Sequence, residues 1–74
     1  MKFENIELLI DGSGEISIGR AGAVRCAACA SDEDQCLAML VRRPNESLSE
    51  LLKRLDSAIE DATERQIFVD EINE

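Results

Sequence analysis

Histidine, tryptophan and tyrosine are all missing from this 74-residue chain, and proline occurs once, as Pro44. Without histidine, the commonest general base near neutral pH and the commonest metal ligand are both gone. No carboxylate is framed by apolar neighbours in the sequence, and a chain this short has little room for a ligand-sized pocket. The expectation is a protein that is not an enzyme and carries no cofactor. Phe3 and Phe68 are the only aromatics, so the core must be built from Leu, Ile, Val, Ala, Met and Cys. Long hydrophobic runs are also lacking. Glu4, Asn5 and Glu7 interrupt the apolar N-terminus, so it does not read as a secretory leader, and no stretch is long enough to span a membrane. The three cysteines are an odd number, which does not suit a disulfide-framed secreted domain. A cytoplasmic location without membrane association follows as the expectation.

Acidic charge is abundant. The net charge is −8, and residues 44–74 carry nine acidic against three basic groups. Such a surface repels phosphate backbones, so nucleic-acid binding by the isolated chain is disfavoured. The same surface could dock a basic protein partner. Arg25, Arg42 and Arg43, with Arg20, are the candidates for a small basic patch.

The segment Ser47–Arg65 dictates its own structure most strongly. Leu48, Leu51, Leu52, Leu55, Ala58, Ile59 and Ala62 recur at the spacing of one helix face. Ser47 with Glu50 three residues later is a capping-box start. Glu50 with Arg54, and Asp61 with Arg65, are acid-before-base pairs at i,i+4. This predicts a helix over 48–65. Residues 3–10 alternate, Ile6, Leu8 and Ile10 against Asn5, Glu7 and Leu9, and predict a strand. Asp11-Gly12-Ser13-Gly14 is then a turn into a second strand over 15–19. Residues 23–30 and 35–43 predict a second hairpin around Ser31-Asp32-Glu33-Asp34, although the alanines of 23–30 also permit a helical turn. A turn centred on Asp32 and Glu33 sets Cys29 opposite Cys36 and Ala27 opposite Ala38. Val24, Cys26, Ala28, Leu37, Met39 and Val41 then share the core face. Arg25, Ala27, Cys29, Cys36, Ala38, Leu40 and Arg42 share the other.

The expected fold is therefore one α+β domain over 1–74, an antiparallel sheet of about four strands packed by one C-terminal amphipathic helix. The tail 67–74, with Ile67, Phe68, Val69 and Ile72, is an apolar cluster that must dock on its own sheet or on a neighbouring subunit. The second sheet face has no cover in this arrangement, which makes a homodimer the expected state. Arg25, Arg42, Leu40, Phe68, Val69 and Ile72 are the expected interaction residues.

Cys26-Ala27-Ala28-Cys29, with Cys36 beyond it, is the one pattern that suggests other chemistry. Zinc needs four ligands, which these three cysteines would reach only with Asp32 or Asp34, or by sharing a site between chains. A redox C-x-x-C wants a helix N-terminus, whereas i,i+3 positions in a strand face opposite ways. A cysteine-based metal or redox protein is the alternative to a protein-interaction or structural domain.

The C-terminal half carries P-x-E-[ST]-L-x-x-L-L-x-R-L-D-x-A-I and a closing D-E-I-N, on Pro44, Glu46, Ser47, Leu48, Leu51, Leu52, Arg54, Leu55, Asp56, Ala58, Ile59, Asp70, Glu71, Ile72 and Asn73. In this it resembles a group of short, functionally uncharacterised bacterial proteins, which implies a bacterial origin. A hairpin entering a capped helix is also similar to the HicB-type antitoxin domain, in which an αβ domain neutralises a small basic RNA-cleaving toxin. The G-x-x-x-x-G pattern of that family is absent here. The resemblance implies an antitoxin-like, non-catalytic role.

Overall fold

A computed structural model describes residues 3–73. In chain order the elements are α1 (Glu4–Asp11), β1 (Glu15–Ala21), β2 (Val24–Ser31), β3 (Cys36–Val41), α2 (Leu48–Arg65) and β4 (Val69–Asp70). The fold is α+β, with the four strands in the order β1-β2-β3-β4.

The predicted helix forms as expected. Ser47 Oγ accepts from the Glu50 N–H at 3.0 Å, and Glu50 Oε1 accepts from the Ser47 N–H at 2.8 Å, closing the capping box. Leu51, Leu55, Ala58, Ile59 and Ala62 are buried against Ala28, Ala30, Leu37, Ala38 and Leu40 of the sheet. Asp61 pairs with Arg65 at 2.8 Å. Arg54, by contrast, turns away from Glu50, whose carboxylate is already committed to the cap, and pairs with Glu46 and Glu71.

The first segment is a helix and not the predicted strand. Its sequence carries two periods at once, Ile6-Leu8-Ile10 at two residues and Phe3-Ile6-Leu9 at three. The second wins because Ile6 and Leu9 pack on the core while Leu8 and Ile10 stay exposed. Glu4 and Glu7 favour the positive end of the helix dipole. Phe3 provides no side-chain cap. The cap comes instead from across the fold: Asp56 Oδ1 on α2 accepts from the N–H groups of Asn5 at 2.9 Å and Ile6 at 3.0 Å. An Asp56→Ala variant should lose about 1 kcal/mol of stability, as other helix caps do. Hydrogen exchange should show the Asn5 and Ile6 amides losing protection first; unchanged exchange there would rule out this capping role. The turn after α1 needs Gly14, because a Cβ there would lie 2.4 Å from the Leu9 side chain.

The hairpin β1–β2 closes through Gly22-Ala23, with positive φ at Gly22 (59°) and a bulge between Gly19 and Ala21. The stretch 19–22 thus supplies both a bulge and part of a turn. Residues 24–31 are strand, so the helical alternative for this segment is set aside. The hairpin β2–β3 forms in a different register from the expected one. Ala30 faces Ala38, Cys29 faces Met39 and Ala28 faces Leu40. The connecting loop is wider than a tight turn, because Asp32 Oδ1 accepts from the N–H groups of both Asp34 and Gln35 at 2.8 Å. Leu37 is the extra residue of a bulge, since Ser31 faces Cys36 while Ala30 faces Ala38. A shift by an odd number of residues exchanges the faces of β3 relative to β2. Ala38 and Leu40 therefore enter the core, and Met39 and Val41 face away from it.

The tail docks on its own sheet. Gln66 takes the left-handed conformation (φ 59°) and ends α2 without a glycine. The chain then runs beside β3 in parallel, Ala38 against Val69 and Met39 against Asp70. The direction is parallel because α2 has already carried the chain back along the sheet. The sheet is accordingly mixed, not wholly antiparallel.

Candidate interaction surface

Ile6 and Leu9 of α1 and the apolar stripe of α2 pack on one cluster, so both helices lie on the same side of the sheet. Among the described residues no element covers the opposite side. Register defines its two central rows: Ser17-Cys29-Met39 and Gly19-Ala27-Val41, read across β1, β2 and β3. None of these six side chains is charged, and the first row continues on β4 with the carboxylate of Asp70, which pairs with Met39. Ala27 is buried even so.

The cysteines do not converge. Cys26 packs against the helix-side core, whereas Cys29, three residues on in the same strand, lies on the open face. Cys36 stands opposite Ser31 and is exposed, so the expected direct Cys29–Cys36 pairing does not occur. Burial pushes the Cys29 thiol above its ordinary pKa, nearby Cys36 adds in the same direction, and a hydrogen bond with Ser17 opposes them. That thiol is protonated at neutral pH, its less nucleophilic form. Among the described residues no three Cys, Asp or Glu side chains gather as metal ligands would.

The expected interaction residues are scattered by the fold. Leu40 is 2% exposed, and the register change has moved it beneath α2, so it cannot contact a partner. Val69 is half-buried against the core cluster, and Ile72 is half-buried. Phe68 remains 44% exposed, beside Ile67 at 51%. Arg25 and Arg42 are both exposed and line one cleft at the end of β2 and β3, together with Arg43.

One cluster was not expected from the sequence. Arg54 makes a two-pronged pair with Glu46, Nε to Oε2 at 2.7 Å and Nη2 to Oε1 at 3.0 Å. Its Nη1 reaches Glu71 Oε2 at 3.1 Å, and Nη2 also donates to the Val41 carbonyl at 2.9 Å. Glu71 Oε1 in turn accepts from the Val41 N–H at 2.9 Å. Glu46 is set in place by the turn before it: Asn45 follows Pro44 with φ 66°, and the Glu46 N–H donates to the Arg43 carbonyl at 3.0 Å. Arg54 thereby ties the end of β3, the loop, α2 and the tail together. The hydrogen bonds from Arg54 and from the Arg43 N–H push the Glu46 carboxyl down to about 2.

No helix among the described residues is long and apolar enough to cross a membrane. In comparisons with protein-family models, curated proteins and solved structures, the chain matched none.

Proposed function

We propose that the protein is a non-catalytic interaction domain that acts as a homodimer, two copies meeting through the open faces of their sheets. The observation that carries this reading is the pair of uncharged rows, Ser17-Cys29-Met39 and Gly19-Ala27-Val41, left without cover in a chain of net charge −8. Leu51 and Leu55 are the largest fully buried side chains, so one copy holds a thin core. A second copy supplies the layer that small domains otherwise lack. The broad side of the molecule, 29 by 28 Å, is on the scale of the roughly 800 Å² that each partner contributes to a standard interface. Short side chains let two sheets approach to about 10 Å. The acidic outer surface of α2 would remain free for a basic protein partner, the antitoxin-like version of this reading.

Light scattering coupled to size exclusion tests it. The native chain should run at twice its 8.2 kDa mass. Ser17→Arg places a charge in each copy of the central row at an exposed position, so it should yield a folded monomer with an unchanged circular dichroism spectrum. A native chain that stays monomeric at high micromolar concentration, or an S17R variant that stays dimeric, would sink the proposal.

A further inference from the structure

Arg25, Arg42 and Arg43 surround a cleft of about 370 Å³ with Val24, Cys26, Val41 and Pro44. That volume falls in the lower part of the small-molecule range, roughly 300–1,000 Å³. The chain has twice as many acidic as basic residues, yet among the described residues none of these three arginines forms an ion pair. Arg42 Nε donates to a neutral acceptor, the Glu46 carbonyl, at 2.9 Å. The neighbouring Glu46 carboxylate is occupied by Arg54 and by the Arg43 N–H.

The register sharpens the point. Ala27 faces Val41, and the Arg42 N–H donates to the Cys26 carbonyl at 3.0 Å, so the pairing of β2 and β3 continues past the end of the assigned strand. Just past that bond, Arg25 and Arg43 line the same cleft. Like charges gathered in one place repel one another. A fold selected for stability alone would place one of its many carboxylates there; local conflicts of this kind concentrate at functional positions.

We propose that this cleft binds a small organic anion through a phosphate or carboxylate group, with the guanidinium groups holding the charged end. Planar guanidiniums suit both groups because they donate paired hydrogen bonds to two oxygens at once. Val24, Val41 and Pro44 offer an apolar floor for the remainder of the ligand. Within a Debye length of about 8–10 Å the anion also meets the Glu46–Arg54–Glu71 cluster, whose single net negative charge is outweighed by the three arginines. A nucleic acid would extend over the acidic remainder of the surface and be repelled, so a small ligand is the favoured occupant. The site shares Val41 with the edge of the uncharged rows, but its three arginines lie outside them, and it is formed by these residues of one copy without use of the dimer.

The test is an NMR titration of the full chain at low salt with two probes, pyrophosphate and succinate, which separate the phosphate from the carboxylate source. At least one should shift the amides of residues 24–26 and 41–44 saturably, with a dissociation constant of roughly 1 mM or tighter. Arg25→Gln combined with Arg43→Gln should weaken that probe by about tenfold or more, given what hydrogen bonds to charged groups contribute. Both positions are exposed, so the spectrum should otherwise be preserved. Lys53→Gln removes one positive charge away from the cleft and should change the affinity less than about twofold. Saturation by neither probe would overturn the assignment. So would equal binding by the double variant, or an equal loss in K53Q.

Discussion

Replacing Leu55 with alanine is expected to remove a large part of the stability of this domain. Leu55 has no exposure and belongs to the cluster where α2 meets β2 and β3. Deleting its methyl-bearing branch loses the transfer energy of those atoms and leaves a cavity, together about 2–5 kcal/mol for Leu→Ala. A domain of this length has only about 4–11 kcal/mol in total, at roughly 0.05–0.15 kcal/mol per residue. Half of the buried cluster is alanine, Ala28, Ala30, Ala38, Ala58 and Ala62, and these short side chains cannot fill the gap. Thermal denaturation should show a midpoint lower by at least about 10 °C, since 1 kcal/mol shifts a domain of this size by roughly 4–8 °C. Leu55→Met, which nearly conserves volume, should cost less than about 1.5 kcal/mol. A similar loss from both substitutions would mean that side-chain shape, not the cavity, governs the site.

The second large effect is expected at Arg54. Arg54→Met keeps much of the aliphatic stem but leaves Glu46 and Glu71 without their shared cation. The Arg54 side chain is 22% exposed, between a surface pair and a buried one, and a loss of about 2 kcal/mol is the corresponding expectation. The damage should be local as well as global. Glu71 is held through Arg54 and the Val41 N–H, so the β4 amides should exchange faster while those of β1 and β2 follow global stability alone.

Acid should have the same structural effect, with a definite sign. The Glu46 carboxyl is held at about 2 in the fold against an ordinary value of 4.5. Its contribution is therefore fully present above about 4.5 and disappears as the pH falls toward 2. The Glu50 carboxyl, accepting from the Ser47 N–H, and the Asp70 carboxyl, accepting from Asn73, are lowered as well and act in the same direction. Stability should decline through this window in the native chain and less steeply in Arg54→Met, where Glu46 has lost its main partner. An equally steep decline in both proteins would show that Glu46 is not responsible.

Residues 48–65 show how much a sequence can say when a structure is local. The capping box, the spacing of the apolar stripe and the Asp61–Arg65 pair are all patterns between residues three or four apart, so they can be read along the chain. The strand expected over 15–19 formed as Glu15–Ala21, and residues 23–30, for which a helical turn was also open, formed the strand Val24–Ser31. Where local signals conflicted, the sequence could not decide. Residues 3–10 satisfy both a two-residue and a three-residue period, and the helix prevails through contacts with Leu9 and the Asp56 cap, which lies about fifty positions away in the chain.

The faces of β2 and β3 depended on the whole fold in another way. A loop opened by the Asp32 side chain and one bulged residue, Leu37, changed the register by an odd step. That single change buried Leu40, turned Met39 and Val41 outward and separated Cys29 from Cys36. The interaction surface follows from the same step. Composition and spacing determined α2 and placed β1, β2 and β3, because those signals depend on neighbours along the chain, but not α1 or β4. Tertiary structure alone decided which sides of those elements meet and which remain open, since strand register, the crossover to β4 and the reach of Arg54 all join residues distant in sequence.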